Sequence, residues 1–194
     1  MPESVAQWRQ LHRKRLLEER LQLGLEARQE IAQSIAQALD IVLAQRFSSV
    51  RGRTISAYWP IKSELDLRFW MTDLHRRGAR VALPVVEEPG APLVFRAWSP
   101  QAQMERGHWN ILVPCADAPK LHPDVALAPL VGWDNKCYRL GYGGGYFDRT
   151  LAVLSPRPWT IGVGLHSARI DSIQPQPHDV RLDAIVTEMG LKKE

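Results

Sequence analysis

The chain has 194 residues, 45% of them hydrophobic and 24% charged. That balance excludes wholesale disorder and suits a single globular domain able to bury a core without disulfide or metal support. The net charge of +4, from 25 Lys+Arg against 21 Asp+Glu, is mild, and fits an anionic small molecule as well as nucleic acid. A dedicated nucleic-acid binder would carry a basic stripe on a recognisable module, and none stands out. The two cysteines, Cys115 and Cys137, exclude a framework of several disulfides and fit a reduced cytosolic protein, with a single bridge left open. MPESVAQWRQLHRKR has no apolar signal core, and no uninterrupted apolar run reaches the ~18 residues of a membrane span.

Residues 4–22 read as a helix, with Trp8, Leu11, Leu17 and Leu21 as its apolar stripe and Arg9, Arg13, Lys14 and Glu18 on a charged side. Gly24 marks a break before a second helix carrying Ile31, Ile35, Leu39 and Val42. Both helices suit covers for a sheet, and Arg9 and Arg13 are open to a ligand role. TISAYW is a short β-rich segment ending at Pro60. In SELD, Ser63 and Asp66 predict a capped helix start, and Gly78 predicts its end before the strand ARVALPVV. This strand–helix–strand order predicts an α/β fold. PLVFRAW, GHWNILVP, VALAPLV, WTIGVGLH and AIVTE are further extended segments, with Pro129 arguing against a central place for VALAPLV.

The segment RLGYGGGYFDRTL holds the strongest signal. Gly141, Gly143, Gly144 and Gly145 fall within five positions. Glycines allow left-handed backbone and close approach of N–H groups to a ligand, and a helix starting at Tyr146 would turn its N-terminus on a phosphate. Arg139 and Arg149 could add charge-assisted bonds, and Asp148 could hold Mg²⁺. The competing reading is a tight turn packed by Tyr142, Tyr146 and Phe147. The Walker A pattern is absent and the dinucleotide fingerprint fits poorly. Glu64 either accepts hydrogen bonds from a heterocycle or complements a helix dipole. Trp109 either stacks on a flat ligand or packs at a rim. His178 and Asp179 either shape a binding loop or make local turn bonds. Zinc-site and serine-hydrolase patterns have no counterpart.

Taken together, WRQLHRKR, YWPIKSELD, ARVALPV, GHWNILVP, APLVGWDNKCYRLGYGGGYFDR, IGVGLH and PHDVRLDAIVTE resemble the 5-formyltetrahydrofolate cyclo-ligase (methenyltetrahydrofolate synthetase) family over nearly the whole chain. The resemblance implies a single open three-layer α/β domain over residues 1–194, with a mixed central sheet and flanking helices. It implies ATP, Mg²⁺ and 5-formyltetrahydrofolate, with its polyglutamates as further candidate substrates, with neither nucleic acid nor membrane as partner and a cytoplasmic monomer as the expected state. It places Arg9, Arg13, Arg139, Gly141, Tyr142, Gly143, Gly144, Gly145, Tyr146, Phe147 and Asp148 around ATP, and Pro60, Glu64, Trp109 and Tyr146 at the folate. Arg139, Tyr146 and Asp148 are the expected catalytic residues, with Asp148 at the metal. The chain departs from the family pattern at Val113, where many relatives have an acid, at Cys137, often a glycine, and at Phe147, often a tyrosine.

Overall fold

The computed structural model describes residues 4–193. Its four helices are α1 (Val5–Leu21), α2 (Leu25–Arg46), α3 (Arg68–Arg76) and α4 (Tyr146–Val153). The strands are β1 (Thr54–Ser56), β2 (Arg80–Val85), β3 (Val94–Trp98), β4 (Met104–Arg106), β5 (Leu112–Pro114), β6 (Val125–Pro129), β7 (Gly132–Trp133), β8 (Arg139–Leu140), β9 (Trp159–Val163), β10 (Ala184–Thr187) and β11 (Gly190–Lys192).

Seven strands form the main sheet in the order β11-β10-β9-β6-β1-β2-β3. The inner five are parallel, and β3 and β11 close the two edges antiparallel. Every residue of β1 and β10 is buried, as are all but one of β6 and β9. Strands covered on both faces read as continuous apolar runs rather than alternating ones, so the expected mixed sheet between helical layers is present. Pro129 fits inside β6 because of where that strand sits. The Leu130 N–H donates to Val163 across the β9 side. Consecutive groups alternate sides, so the Pro129 nitrogen faces the β1 side. There the pairing has ended at Ser56↔Ala126, and no donor is missed.

Two elements differ from expectation. The existence of α1 is as read, with Ser4 and Gln7 forming a reciprocal capping box, and Trp8 and Leu17 pack against the core as expected, but the inward face is shifted. Leu11 and Leu21 are exposed at 57% and 61%, whereas Arg9, Leu16 and Arg20 are buried. With Arg13 the inward positions run 9, 13, 16, 20, so α1 turns a stripe of guanidinium groups toward the protein. By contrast α2 buries Ile35, Leu39 and Val42 as expected. The second difference is at SELD. Lys62 and Ser63 have left-handed φ of 45° and 64°, so this segment is a turn, and α3 begins only at Arg68, where the Asp66 carboxylate accepts the Arg68 N–H at 3.0 Å. No disulfide joins Cys115 and Cys137.

Candidate active site

The chain runs from β1 to β2 and β3 on one side of the sheet, then crosses to β6, β9 and β10 on the other. The order therefore reverses between β1 and β6, and open α/β sheets bind ligands at the carboxyl ends of the strands flanking such a point. A cavity of about 220 Å³ lies there, lined by Tyr58, Trp59 and Glu64 after β1, by Leu83 and Val86 of the β2 end, and by Pro129 of the β6 end.

One end is built for an anion. The loop of residues 141–145 leaves β8 and enters α4, with Gly143 at φ +100° and Gly145 at φ +65°. No side chain caps α4, so its first-turn N–H groups remain available. At Gly141 a Cβ would come within 2.5 Å of Arg139 Nη1, so a side chain there would displace the guanidinium from its present place.

The three arginines here are not equivalent. Arg9 donates from Nε to the Ile173 carbonyl, from Nη2 to the Gln174 carbonyl, and to both oxygens of Asp179. Most of its donors are therefore committed within the protein. Arg13 donates only from Nε, to the Gly141 carbonyl at 2.7 Å, which leaves its two terminal nitrogens uncommitted beside Gly143. Burial, followed by repulsion from Arg9, lowers its pKa. Arg139 gives Nη2 to Asp148 at 3.0 Å and lies 5.0 Å over the Phe147 ring, and its buried Nε has no partner.

Asp148 is engaged by protein donors at both of its oxygens. Its Oδ2 accepts from Arg139 and its Oδ1 from the Val180 N–H at 3.1 Å, so a cation there would compete with an ion pair that is already formed. No group of three or more His, Cys, Asp or Glu side chains among the described residues is arranged to hold a metal. In this structure Asp148 therefore pairs with Arg139, and each of its oxygens keeps a further lone pair.

The other end of the cavity is mostly apolar, and Glu64, which is 9% exposed, is its one carboxylate beside Tyr58 and His108. Its Oε2 accepts the Ile61 N–H at 2.8 Å. Burial pushes its pKa up to about 7, against the opposing pull of that hydrogen bond, of Arg20, of the Tyr142 hydroxyl and of Lys62. Pro60, expected at the substrate, does not line the cavity, although its neighbours Trp59 and Ile61 do. Trp109, at φ +55° and 59% exposed, stands at the mouth. Its ring meets Tyr146 edge-on at 5.5 Å. The Tyr146 hydroxyl accepts from the Gly90 N–H and lies 3.3 Å from His108 Nε2.

The cavity also engages residues that sequence reasoning did not single out. Tyr58, Trp59 and His108 line it, and Arg20 stands behind it on α1. The arginine spacing 9, 13, 20 was the available signal for Arg20. His178 and Asp179 do join the site, Asp179 by pairing with Arg9. Val113 forms an apolar, 5% exposed piece of the wall. Cys137 adopts φ +61°, a backbone conformation that favours glycine.

Fold and site together define an α/β protein with a glycine loop suited to an anion at one end of the switch-point cavity and a buried carboxylate at the other. The model of the 5-formyltetrahydrofolate cyclo-ligase family matches residues 5–188, and the chain belongs to that family. It is 31% identical over 144 residues to the 5-formyltetrahydrofolate cyclo-ligase of Escherichia coli K12, covering 71% of this chain and 79% of that relative. It is 29% identical over 177 residues to the Mycoplasma pneumoniae protein of the same name, covering 91% and 96%. A solved structure of a 5,10-methenyltetrahydrofolate synthetase from Mycoplasma pneumoniae superposes with a TM-score of 0.74 at 26% identity, over 93% of this chain and 98% of that one. The fold is shared as well with the Aquifex aeolicus synthetase, with a TM-score of 0.79 at 24% identity over 95% and 92%.

Proposed function

We propose that the chain is an ATP-dependent ligase that closes 5-formyltetrahydrofolate to 5,10-methenyltetrahydrofolate, releasing ADP and phosphate. The observation that carries this is the two-ended cavity, with glycine-loop N–H groups and open guanidinium donors at one end and a buried carboxylate in an apolar pocket at the other. The formyl oxygen is a weak nucleophile, and transfer of the γ-phosphoryl group turns it into a leaving group. The oxygen attacks phosphorus, ADP departs, and an N5-iminium phosphate results. N10 then attacks the activated carbon, loses its proton, and expels phosphate as the ring closes.

Such a transfer needs alignment and neutralisation of oxygen charge more than covalent help from the protein. In this reading Arg13 and the loop around Gly143 and Gly144 hold the phosphates. Arg139, fixed by Asp148, neutralises charge beside them, with Gly141, Tyr142, Gly145, Tyr146 and Phe147 shaping the loop. Arg9 braces Asp179 and the chain at Ile173. Mg²⁺ enters as the counter-ion of ATP rather than on a protein site. Glu64 orients the pterin, with Trp109 and Tyr146 bounding it. The folate tail, with or without added glutamates, leaves by the mouth. Among the described residues no helix is long and apolar enough to cross a membrane.

Purified protein incubated with Mg-ATP and 5-formyltetrahydrofolate should produce methenyltetrahydrofolate absorbance and ADP in equal amounts. Folded protein that binds both ligands and forms neither product would refute the assignment.

A further inference from the structure

Tyr142 belongs to the glycine loop, yet its hydroxyl serves the opposite half of the cavity. It accepts a hydrogen bond from Arg20 Nη2. The same nitrogen donates to the Lys62 carbonyl at 2.9 Å. Lys62 and Ser63 form the left-handed turn that delivers Glu64, and Lys62 Nζ lies 5.3 Å from the centre of the Tyr142 ring. Arg20 itself is 6% exposed, anchored in α1, and its buried Nε has no protein partner. Three separate stretches of chain therefore meet on one guanidinium: the helix, the phosphate-suited loop and the turn that carries the carboxylate.

We propose that Arg20 and Tyr142 are positioning residues that couple occupation of the glycine loop to the setting of Glu64 across the cavity. The identity of the two ligands rests on the cyclo-ligase reading. The coupling itself rests on the strut.

The physical basis is the contrast between its ends and its anchor. Arg20 is fixed on a capped helix of 17 residues. The glycine loop and the turn are the adjustable parts, one through its glycines and the other because two non-glycine residues sit in left-handed backbone, a conformation held only by its surroundings. An anion drawn onto the loop N–H groups fixes Tyr142. A fixed Tyr142 hydroxyl acts on Glu64 directly and also holds the Arg20 nitrogen, and that nitrogen holds the Lys62 carbonyl. The same chain runs in reverse when a pterin engages Glu64, since coupling between two binding sites is reciprocal. A link of two hydrogen bonds fits a coupling of about five- to tenfold, the low end of the usual range.

The test measures binding of 5-formyltetrahydrofolate by calorimetry, with and without a saturating non-hydrolysable ATP analogue and Mg²⁺. Wild-type protein should bind the folate about five- to tenfold more tightly with the analogue present. Tyr142→Phe, which removes only the hydroxyl, should bring that ratio to about one, and Arg20→Met should do the same. Hydrogen exchange of a peptide covering residues 60–66 gives a second readout without folate. The analogue alone should slow exchange in the wild type and not in Tyr142→Phe. A wild-type ratio of one, or a Tyr142→Phe ratio and protection equal to wild type, overturns the strut. Because the exchange measurement needs no turnover, it decides the strut even if the wild type forms no methenyl product, an outcome that would overturn the cyclo-ligase reading instead. Should Arg20→Met fail to fold, Arg20→Lys, which keeps the charge but cannot bridge the Tyr142 hydroxyl and the Lys62 carbonyl with the guanidinium fork, takes its place, and a wild-type ratio in it overturns the Arg20 part of the strut.

Discussion

Glu64→Gln should make the protein more stable at alkaline pH and a poorer enzyme. Burial raises the Glu64 pKa from the ordinary 4.5 to about 7. Between those values the folded state holds a proton that the unfolded chain has released, so folding binds protons and stability falls as pH rises. The contribution of the neutral carboxyl is fully present below pH 4.5 and lost as pH passes through about 7. At about 1.36 kcal/mol per pH unit, the displacement corresponds to roughly 3 kcal/mol. Glutamine keeps an oxygen for the Ile61 N–H and never ionises. The variant should therefore gain about 3 kcal/mol on the wild type between acid and alkaline conditions. With a urea m-value of about 2 kcal/mol/M for a chain of this size, the gap between the two midpoints widens by about 1.5 M. Urea unfolding of both proteins from pH 4.5 to 8.5 reads this directly. The same variant should lose at least tenfold in kcat/KM, because the ionised acceptor for the pterin is gone, as expected where a site is kept functional at the expense of stability. A midpoint gap that stays constant with pH would refute the argument that Glu64 is held near neutrality by its burial.

The remaining tests bear on the anion end and on the backbone. Arg13→Ala should raise the KM for Mg-ATP by about tenfold or more while moving the folate KM far less, since its free terminal nitrogens point to the nucleotide role; steady-state kinetics with each substrate varied checks this. Asp148→Asn should destabilise by about 3 kcal/mol through the loss of a largely buried partner for Arg139, and should leave the Mg²⁺ concentration for half-maximal rate within twofold of wild type. A large shift in that Mg²⁺ dependence would restore Asp148 as a metal ligand. Cys137→Gly should be more stable than Cys137→Ala by about 1 kcal/mol, because both remove the thiol and only glycine relieves the left-handed backbone; paired denaturation curves decide it.

The sheet was legible in the sequence where burial is two-sided. The run at VALAP is apolar throughout, WTIGV and AIVT each carry one buried threonine and TIS pairs a buried isoleucine with two small hydroxyl residues, and all four become inner strands. The edge strand β11 and the pair β7 and β8 span only two or three residues, too short for any period to register. The start of α3 failed for a different reason. Ser63 and Asp66 carry the composition of a helix cap, but the left-handed pair at Lys62 and Ser63 turns the chain inward to bury Glu64 and Leu65, and the helix cannot begin until that turn is complete. A functional turn thus overrode a sound local signal.

The location of the site was legible from the glycines, whereas the division of labour among its charged residues was not. A sequence shows how many guanidinium groups are near a loop but not how many of their donors are already spent. Arg9 and Arg13 lie one helical turn apart and look interchangeable. They differ because Asp179 and the carbonyls of Ile173 and Gln174 reach Arg9 from a segment far along the chain, while Arg13 meets only one loop carbonyl. Asp148 looked like an open oxygen ligand until Arg139 and Val180 claimed both its oxygens. The inward face of α1 was missed by the same logic, since an arginine stripe reads as solvated surface unless its partners are known. These partners come from β8, the glycine loop, the segment after β9 and the turn after β1, so only the closed fold can reveal which cation remains open to an incoming phosphate.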